Sequence, residues 1–526
     1  MNRKLSPALF TLILGVLLAG NALAATSGAP YYIAANGSDT NSGTSETSPW
    51  AHLPGMATWT GSHTPVAGDT FILRGCDVWP NASFPITWTW SGTSGHVILI
   101  DRDVTWYNTT NCPGGWNRPV FDAGSTVINP PECTANHSNI FFIANSVNYL
   151  TLKWIEAKNL YWNSDQQNGA GCFLTVAIFV ANSSDHITLD SWYVHHWTVG
   201  ASATDTDRMI TQSNSSPFCV NCLLTNSVID NSDGTTNSGG GVRFNATNNV
   251  IHDVVNALKM VYQGEMGGNN IYNVNASFDG ISHPNCIETT GALGPTGIYY
   301  IHDNYIHNIS GCEGLQVGNA GETDYVWNNI WVMGASSGAN GPQVPQADSG
   351  TSTWSLYFWN NTVSWGFPHG CIITGGHATA INNWFAQNNH CINVNGSTVT
   401  GTPLVPVGST AIDHNVGITM ANATSQGYVN GGAYAYSPQN SACNGIPTNC
   451  PIGVGANLTS SWPGGFGTND TTYACTEQTI NGVVQSVCPA RATTNARSST
   501  WDVGAYEWAG STPPPHPPTG LAAVIH

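Results

Sequence analysis

The sequence predicts an all-β fold, a single-stranded parallel β-helix, on three observations. A short motif, Asn-x-apolar-x-Asp/Asn in intact or worn form, recurs seven times: NSVID at 226, NVIHD at 249, NNIYN at 269, NYIHN at 304, NNIWV at 328, NNTVS at 360 and NNWFA at 382. The steps are 23, 20, 35, 24, 32 and 22 residues, and a short period with longer excursions marks a solenoid whose coils differ in their surface loops. Within each copy β-branched and aromatic residues alternate with a period of two, so the repeated unit is a strand.

The elements follow in chain order. Arg3 and Lys4 precede an apolar run, Leu9 to Leu18, and an Ala22-Leu23-Ala24 cleavage site, so residues 1–24 are expected to be a bacterial-type secretion signal. No later stretch has 18 uninterrupted apolar residues, and no membrane span is expected. One β-helix domain is predicted over 25–509, with a cap at 31–75, regular coils over about 140–395 and C-terminal coils and loops over 396–509. Residues 510–526, GSTPPPHPPTGLAAVIH, read as a Pro-rich tail.

Composition narrows the function. The 14 cysteines, an even number in an exported chain, predict disulfides. Close pairs such as Cys443/Cys450 and Cys475/Cys488 are expected to staple loops. Cys219-Val-Asn-Cys222, with no second pair to complete a metal site, reads as a structural bridge. Only 8% of residues are charged, but 41% are apolar, which supports an ordered core. The formal charge of −18, with no basic stripe, argues against nucleic acid as a partner. A monomer is expected.

Two segments outside the repeat carry a family resemblance. YYIAANGSDTNSGTSETSPWAHL (31–53) with GDTFILRG (68–75) is similar to the N-terminal cap, and WDVGAYEW (501–508) to the last strand, of secreted right-handed parallel β-helix proteins of the pectate-lyase-like superfamily. The resemblance implies an extracellular protein whose partner is a polysaccharide. That superfamily holds lyases and hydrolases of acidic polysaccharides, and also surface proteins without known catalysis. The chain lacks the paired aspartates with Gly-His-Gly and Arg-x-Lys of the polygalacturonase-like hydrolases, and any clear match to the calcium-site aspartates of pectate lyases. The cofactor is therefore left open, with Ca²⁺ as the candidate.

Stacking the coils brings distant residues together, because equivalent positions lie about 4.8 Å apart. The apolar residue of each repeat (Val228, Ile251, Ile271, Ile306, Ile330) is expected in the core, and the opening asparagines are expected to form a ladder of side-chain amides. The next position should face outward as a column of Ile229, His252, Tyr272, His307 and Trp331. Such rings suit a sugar platform, or equally a covered packing row.

A second strand aligns GGVRF (240–244), NALKM (256–260), NCIET (285–289) and EGLQV (313–317). Its fourth position gives one outward row, Arg243, Lys259, Glu288 and Gln316, beside a floor of small residues, Gly241, Ala257, Cys286 and Gly314. Of twelve Lys and Arg, ten remain after Arg3 and Lys4 are removed, and two of these ten are neighbours in this row. Lysine beside arginine releases its proton more readily and suits a base. Arginine is placed to neutralise a uronate carboxylate and so acidify the adjacent C–H for β-elimination. The row reads equally as a surface ion-pair ladder, which contributes little.

The 35-residue step carries SFDGISHPNCIETTG (277–291), which crowds Asp279, His283, Asn285 and Glu288 where the charged row passes. His283 is an acid or base candidate with Asp279 orienting it, or a loop histidine satisfied by backbone. The next coil adds Glu313. The catalytic candidates are thus Lys259, Arg243, His283 and Glu288. The substrate-binding candidates are Asp279, Asn285, Glu313, Gln316, His252, Tyr272, His307 and Trp331. No metal ligands are assigned. Asp39-Thr-Asn41-Ser-Gly43 reads as a cap turn more than a calcium loop, and His195-His196, on opposite faces of a strand, as a poor chelate. A polysaccharide lyase is the leading function. The alternatives are a glycoside hydrolase on the same groove and a non-catalytic polysaccharide-binding or adhesin-type protein.

Overall fold

The computed structural model describes residues 30–125, 139–162 and 176–199, the strands and corners between 209 and 364, and short strands onward to 418. It also describes the hairpin 475–488 and single positions between 471 and 505. Three long sheets, of 13, 12 and 12 strands, form the body. All pairs within them are parallel except the last pair of the third sheet, Asn393–Val394 with Ser397–Thr398. Each coil visits the sheets in turn. Asn245–Thr247 lies in the first, Val250–Val254 in the second and Asn256–Lys259 in the third, and the next coil repeats this with Gly264–Gly267, Asn270–Val274 and Ile287–Glu288. The fold is the parallel β-helix that the repeat predicts.

The interior is a stack of aliphatic layers. Met266, Ile301 and Val326 of the first sheet, Ile251, Ile271 and Ile306 of the second, and Leu258 and Ile287 of the third are at most 1% exposed. Burying one such side chain contributes about 1.5–3 kcal/mol. Repetition along the axis, rather than a central globule, supplies the stability.

The asparagine ladder forms at the corner between the first and second sheets. Asn249 Nδ2 donates to Asn269 Oδ1 (3.0 Å), Asn269 to Asn304 (2.9 Å), Asn304 to Asn329 (2.9 Å) and Asn329 to Asn361 (3.1 Å). Each amide oxygen also accepts the backbone N–H of the preceding ladder asparagine, as Asn304 Oδ1 does from Asn269 N. Each Nδ2 reaches a carbonyl of the coil before, as from Asn269 to Ala246 O. All five asparagines are at most 1% exposed, so the ladder satisfies backbone groups that water cannot reach.

The position before each rung turns the corner with a left-handed backbone: Asn226, Asn248, Gly268, Asp303, Asn328 and Asn360 have φ between 51° and 69°. Asparagine, aspartate and glycine tolerate that region best. Among the described residues the rungs are therefore Ser227, Asn249, Asn269, Asn304, Asn329 and Asn361, and the motif copies at 226, 328 and 360 begin one residue early. A one-residue slip exchanges the two faces of a strand. Ile229, Ile251, Ile271, Ile306 and Trp331 pair as a single inward row, and Ile229 and Trp331 are fully buried. Val228 and Ile330, expected inside, instead share the outward row with Val250, Asn270, Tyr305 and Thr362.

Disulfides Cys475–Cys488 and Cys219–Cys222 form as expected, joined by Cys76–Cys112. Asp39 is a cap organiser: its carboxylate accepts the backbone N–H groups of Ala51, His52 and Thr60 and binds the His52 ring. The signal segment, the Pro-rich tail, Cys443 and Cys450 lie outside the described residues.

Candidate functional site

The charged row of the third sheet is in register. Val242 pairs with Leu258, Lys259 with Glu288, Glu288 with Gln316, and Gln316 with Gln346. Arg243 lies between Val242 and Phe244, both packed in the core, so its side chain leaves on the outer face next to Lys259. Lys259 Nζ is 3.0 Å from Glu288 Oε2, and Asn285 Nδ2 donates to the same oxygen at 2.9 Å. Asn285 is itself held by its backbone N–H on Asn256 Oδ1 (2.8 Å).

Exposure differs along the row. Arg243 is 4% exposed and Glu288 6%, while the Lys259 side chain keeps 23% of its surface. The wall is thus covered over its arginine and carboxylate and opens at the lysine. Two charges 3.0 Å apart and largely shielded interact more strongly than a solvated surface pair. The small residues do not make an exposed floor. Ala257 and Cys286 are fully buried in the core cluster. Gln316 lies on the row, half-buried. Asp279, His283 and Glu313 lie outside the described residues.

The ring column of the second sheet also forms, with two positions corrected: it runs Asp230 in place of Ile229, His252, Tyr272, His307, and Val332 in place of Trp331. His252 stacks on Tyr272 at 4.5 Å and Tyr272 on His307 at 4.9 Å. Trp331 is not part of it; it faces the core and stacks on Phe358. Nor is the column an open platform, because the hairpin Thr476–Ile480/Val483–Val487 lies against this face. Glu477 Oε2 meets His252 Nε2 (2.8 Å), Asn270 Nδ2 donates to Cys475 O (2.9 Å), and Ser486 Oγ donates to Asn248 O (2.7 Å). Val484 and Cys475 pack on the outward Val228 and Val250. The sequence signal for this cover was limited to the cysteines that close the hairpin.

His252 sits among three carboxylates, Asp253 (2.6 Å), Glu477 (2.8 Å) and Asp230 (3.4 Å). Burial opposes its charge, but the bonds to Asp253 and Glu477 and the field of Asp230 outweigh burial and raise its pKa to about 9. Asp230, His252 and Glu477 are the one group among the described residues with metal-ligand spacing. Binding a metal there would require the imidazole to give up the proton that its acids favour. His307, in the same column, goes the other way: burial lowers it to about 4.

The hairpin is therefore held by a cationic latch, with a definite pH sign. A histidine whose folded pKa is raised contributes stability fully below its unfolded value of about 6.5 and loses it as pH climbs through about 9. Protection factors of the amides in 476–487, taken against the intrinsic exchange rate at each pH, are expected to fall across that window in the wild type, and to be low and nearly independent of pH in His252→Gln. Equal protection of the hairpin at pH 6 and pH 10 would show that His252 does not hold it.

The first sheet carries features that the motif did not mark. Tyr300, Tyr325 and Tyr357 stack on successive coils at 5.6 and 4.8 Å, half-exposed. His302, bracketed by Asp303 (2.8 Å) and Glu265 (3.0 Å), stacks on Trp327 at 4.4 Å. Inside the coil, burial and the neighbouring Glu322 hold the Asp324 carboxyl well above the usual carboxylate range. His195 and His196 do meet through their Nδ1 atoms, because His196 turns the corner at φ 56°; His195 Nε2 is also 3.2 Å from Glu156.

No protein-family model and no curated protein matches the chain. Among solved structures it is similar to pectate lyase Pel9A (TM-score 0.35, 12% identity, 91% of this chain and 96% of that one). It is also similar to a GH136 lacto-N-biosidase from Eubacterium ramulus (0.33, 10%, 74% and 68%). A third likeness is to a mannuronic acid specific polysaccharide family 6 lyase from human gut microbiota (0.32, 12%, 68% and 83%). These likenesses are distant, and the functional reading rests on the residues.

Proposed function

We propose that the protein is a secreted carbohydrate-active enzyme that cleaves an acidic polysaccharide by β-elimination at the Arg243–Lys259–Glu288 row. One observation carries the reading: two of the chain's few cations stand side by side on adjacent coils, with the amine of Lys259 the accessible member. In the reaction Lys259 first releases its ammonium proton to solvent, and the free amine then takes the proton on the carbon bearing the uronate carboxylate. The C–H electron pair forms the new C=C bond, the C–O bond to the leaving sugar breaks, and the leaving oxygen takes a proton from solvent. Arg243, beneath the lysine, stabilises the charge that develops on the carboxylate. Glu288 and Asn285 fix the direction of the Lys259 side chain.

A second reading has its own support. The cover over Arg243 and Glu288 and the closed Lys259–Glu288 pair suit a rigid wall that binds polysaccharide without cutting it. One experiment decides: incubation with uronate-containing and neutral polysaccharides, with and without a chelator. Elimination yields an unsaturated product that absorbs in the ultraviolet. New reducing ends without that absorbance indicate a hydrolase, and binding without either indicates the wall. Loss of activity with chelator would identify a divalent cation as a cofactor.

A further inference from the structure

A cavity of about 590 Å³ lies on the outer face of the first sheet in the N-terminal coils, on another face of the solenoid from Lys259. It has the size of ordinary ligand sites. The strand Ile98–Tyr107 builds it. Arg102 pairs with Leu73, but Tyr107 already pairs with Gly75, so residues 103–106 arch out of the sheet as a wall. Asp103 Oδ1 accepts the Thr105 N–H (2.8 Å) and hydroxyl (2.6 Å), which fixes the arch. Tyr32 and Ile72 line the floor in register with Asp101, and Lys153 and Trp154 form the far side.

The lining combines rings, cations and acids. The Arg102 guanidinium lies 3.4 Å from the Trp154 ring centre and 4.7 Å from that of Trp116, and these two indoles hold it in place. Lys153 Nζ is 3.5 Å from Asp190, a loose pair with both side chains about one-fifth exposed, 22% and 20%. Burial raises the pKa of the Asp101 carboxyl, against the opposing fields of Lys153 and Arg102.

We propose that this cavity is a second carbohydrate site that takes a uronate unit. The sugar carboxylate meets Lys153 and Arg102, the ring lies against Tyr32, and its hydroxyls donate to Asp101 and Asp103. The choice of an acidic polysaccharide rests on the proposed function, although the binding itself needs no catalysis. About four strand spacings, near 19 Å, separate its coil from that of Lys259, so the site anchors a long chain outside the cleavage row.

The test is a titration with a hexuronate tetrasaccharide and with the same oligosaccharide reduced to neutral sugars. The proteins are the wild type, Lys259→Arg, and Lys259→Arg combined with Lys153→Ala or with Asp190→Asn. In the non-cleaving Lys259→Arg background, binding of one of two tetrasaccharides is expected to weaken about tenfold or more when Lys153→Ala is added, to hold or tighten with Asp190→Asn, and to be lost with the neutral probe. Asp190→Asn breaks the same ion pair while keeping the cation, so it separates lost charge from a disturbed fold. Unchanged binding of both when Lys153→Ala is added, or equal binding of the neutral probe, overturns the site. An enzyme that cleaves while binding nothing at Lys153 refutes this inference and leaves the proposed function standing. Binding that depends on Lys153 without cleavage by the wild type does the reverse.

Discussion

Lys259→Ala is expected to lower the rate of unsaturated-product formation by about 10²–10⁴-fold, the usual contribution of a positioned general base. Alanine also leaves Glu288 without its 3.0 Å partner in a shielded setting, so a loss of folding would mimic a loss of chemistry. Lys259→Arg separates the two. Arginine keeps a cation opposite Glu288 but stays protonated at all working pH values. The variant should melt within a few degrees of the wild type and remain as inactive as the alanine variant. An active Lys259→Arg enzyme would remove the lysine from its role as base. Glu288→Gln is expected to be milder, since Asn285 continues to support the side chain and the amine itself survives.

Asn269→Ala should destabilise the fold by about 3–5 kcal/mol, read as a lower denaturation midpoint at unchanged slope. The amide of Asn269 is fully buried and serves four groups: it accepts from Asn249 N and Nδ2, and it donates to Ala246 O and Asn304 Oδ1. Each orphan costs about 1–3 kcal/mol, reduced by local relaxation. Asn248→Ala, one residue before the neighbouring rung, is the contrasting case. It loses a residue suited to φ 61° and should cost only about 1–2 kcal/mol. Equal losses in the two variants would show that the ladder is not what holds this corner.

The same pair of positions explains what could be read from the chain and what could not. The period, the strands and the existence of a ladder were visible because asparagine recurs where buried amides must be satisfied. The register was not, since asparagine also suits the left-handed corner, and a doublet such as Asn328-Asn329 fits either assignment. Ile330-Trp331-Val332 hides the alternation that would have decided it, as all three are apolar. The row Arg243, Lys259, Glu288, Gln316 was legible because Gly240–Phe244 and its counterparts alternate cleanly. Its cover was not, and neither was the hairpin, because Glu477 and His252 lie 225 residues apart and no local pattern links them. The first-sheet cavity depends on an arch in one strand, which no repeat announces.

That hairpin has a consequence for how the molecule comes apart. Gly482 at its tip accepts from Asn117 (3.1 Å), while Cys475 at its base accepts from Asn270, so one short ribbon runs along the axis past six second-sheet strands, from Val120–Asp122 to Asn270–Val274. An unclasped stack frays turn by turn, because each turn touches only its neighbours. Here the ribbon penalises the opening of any single turn beneath it, which makes the N-terminal half melt as one cooperative block. A protease that nips the ribbon would convert one sharp transition into a gradual unravelling.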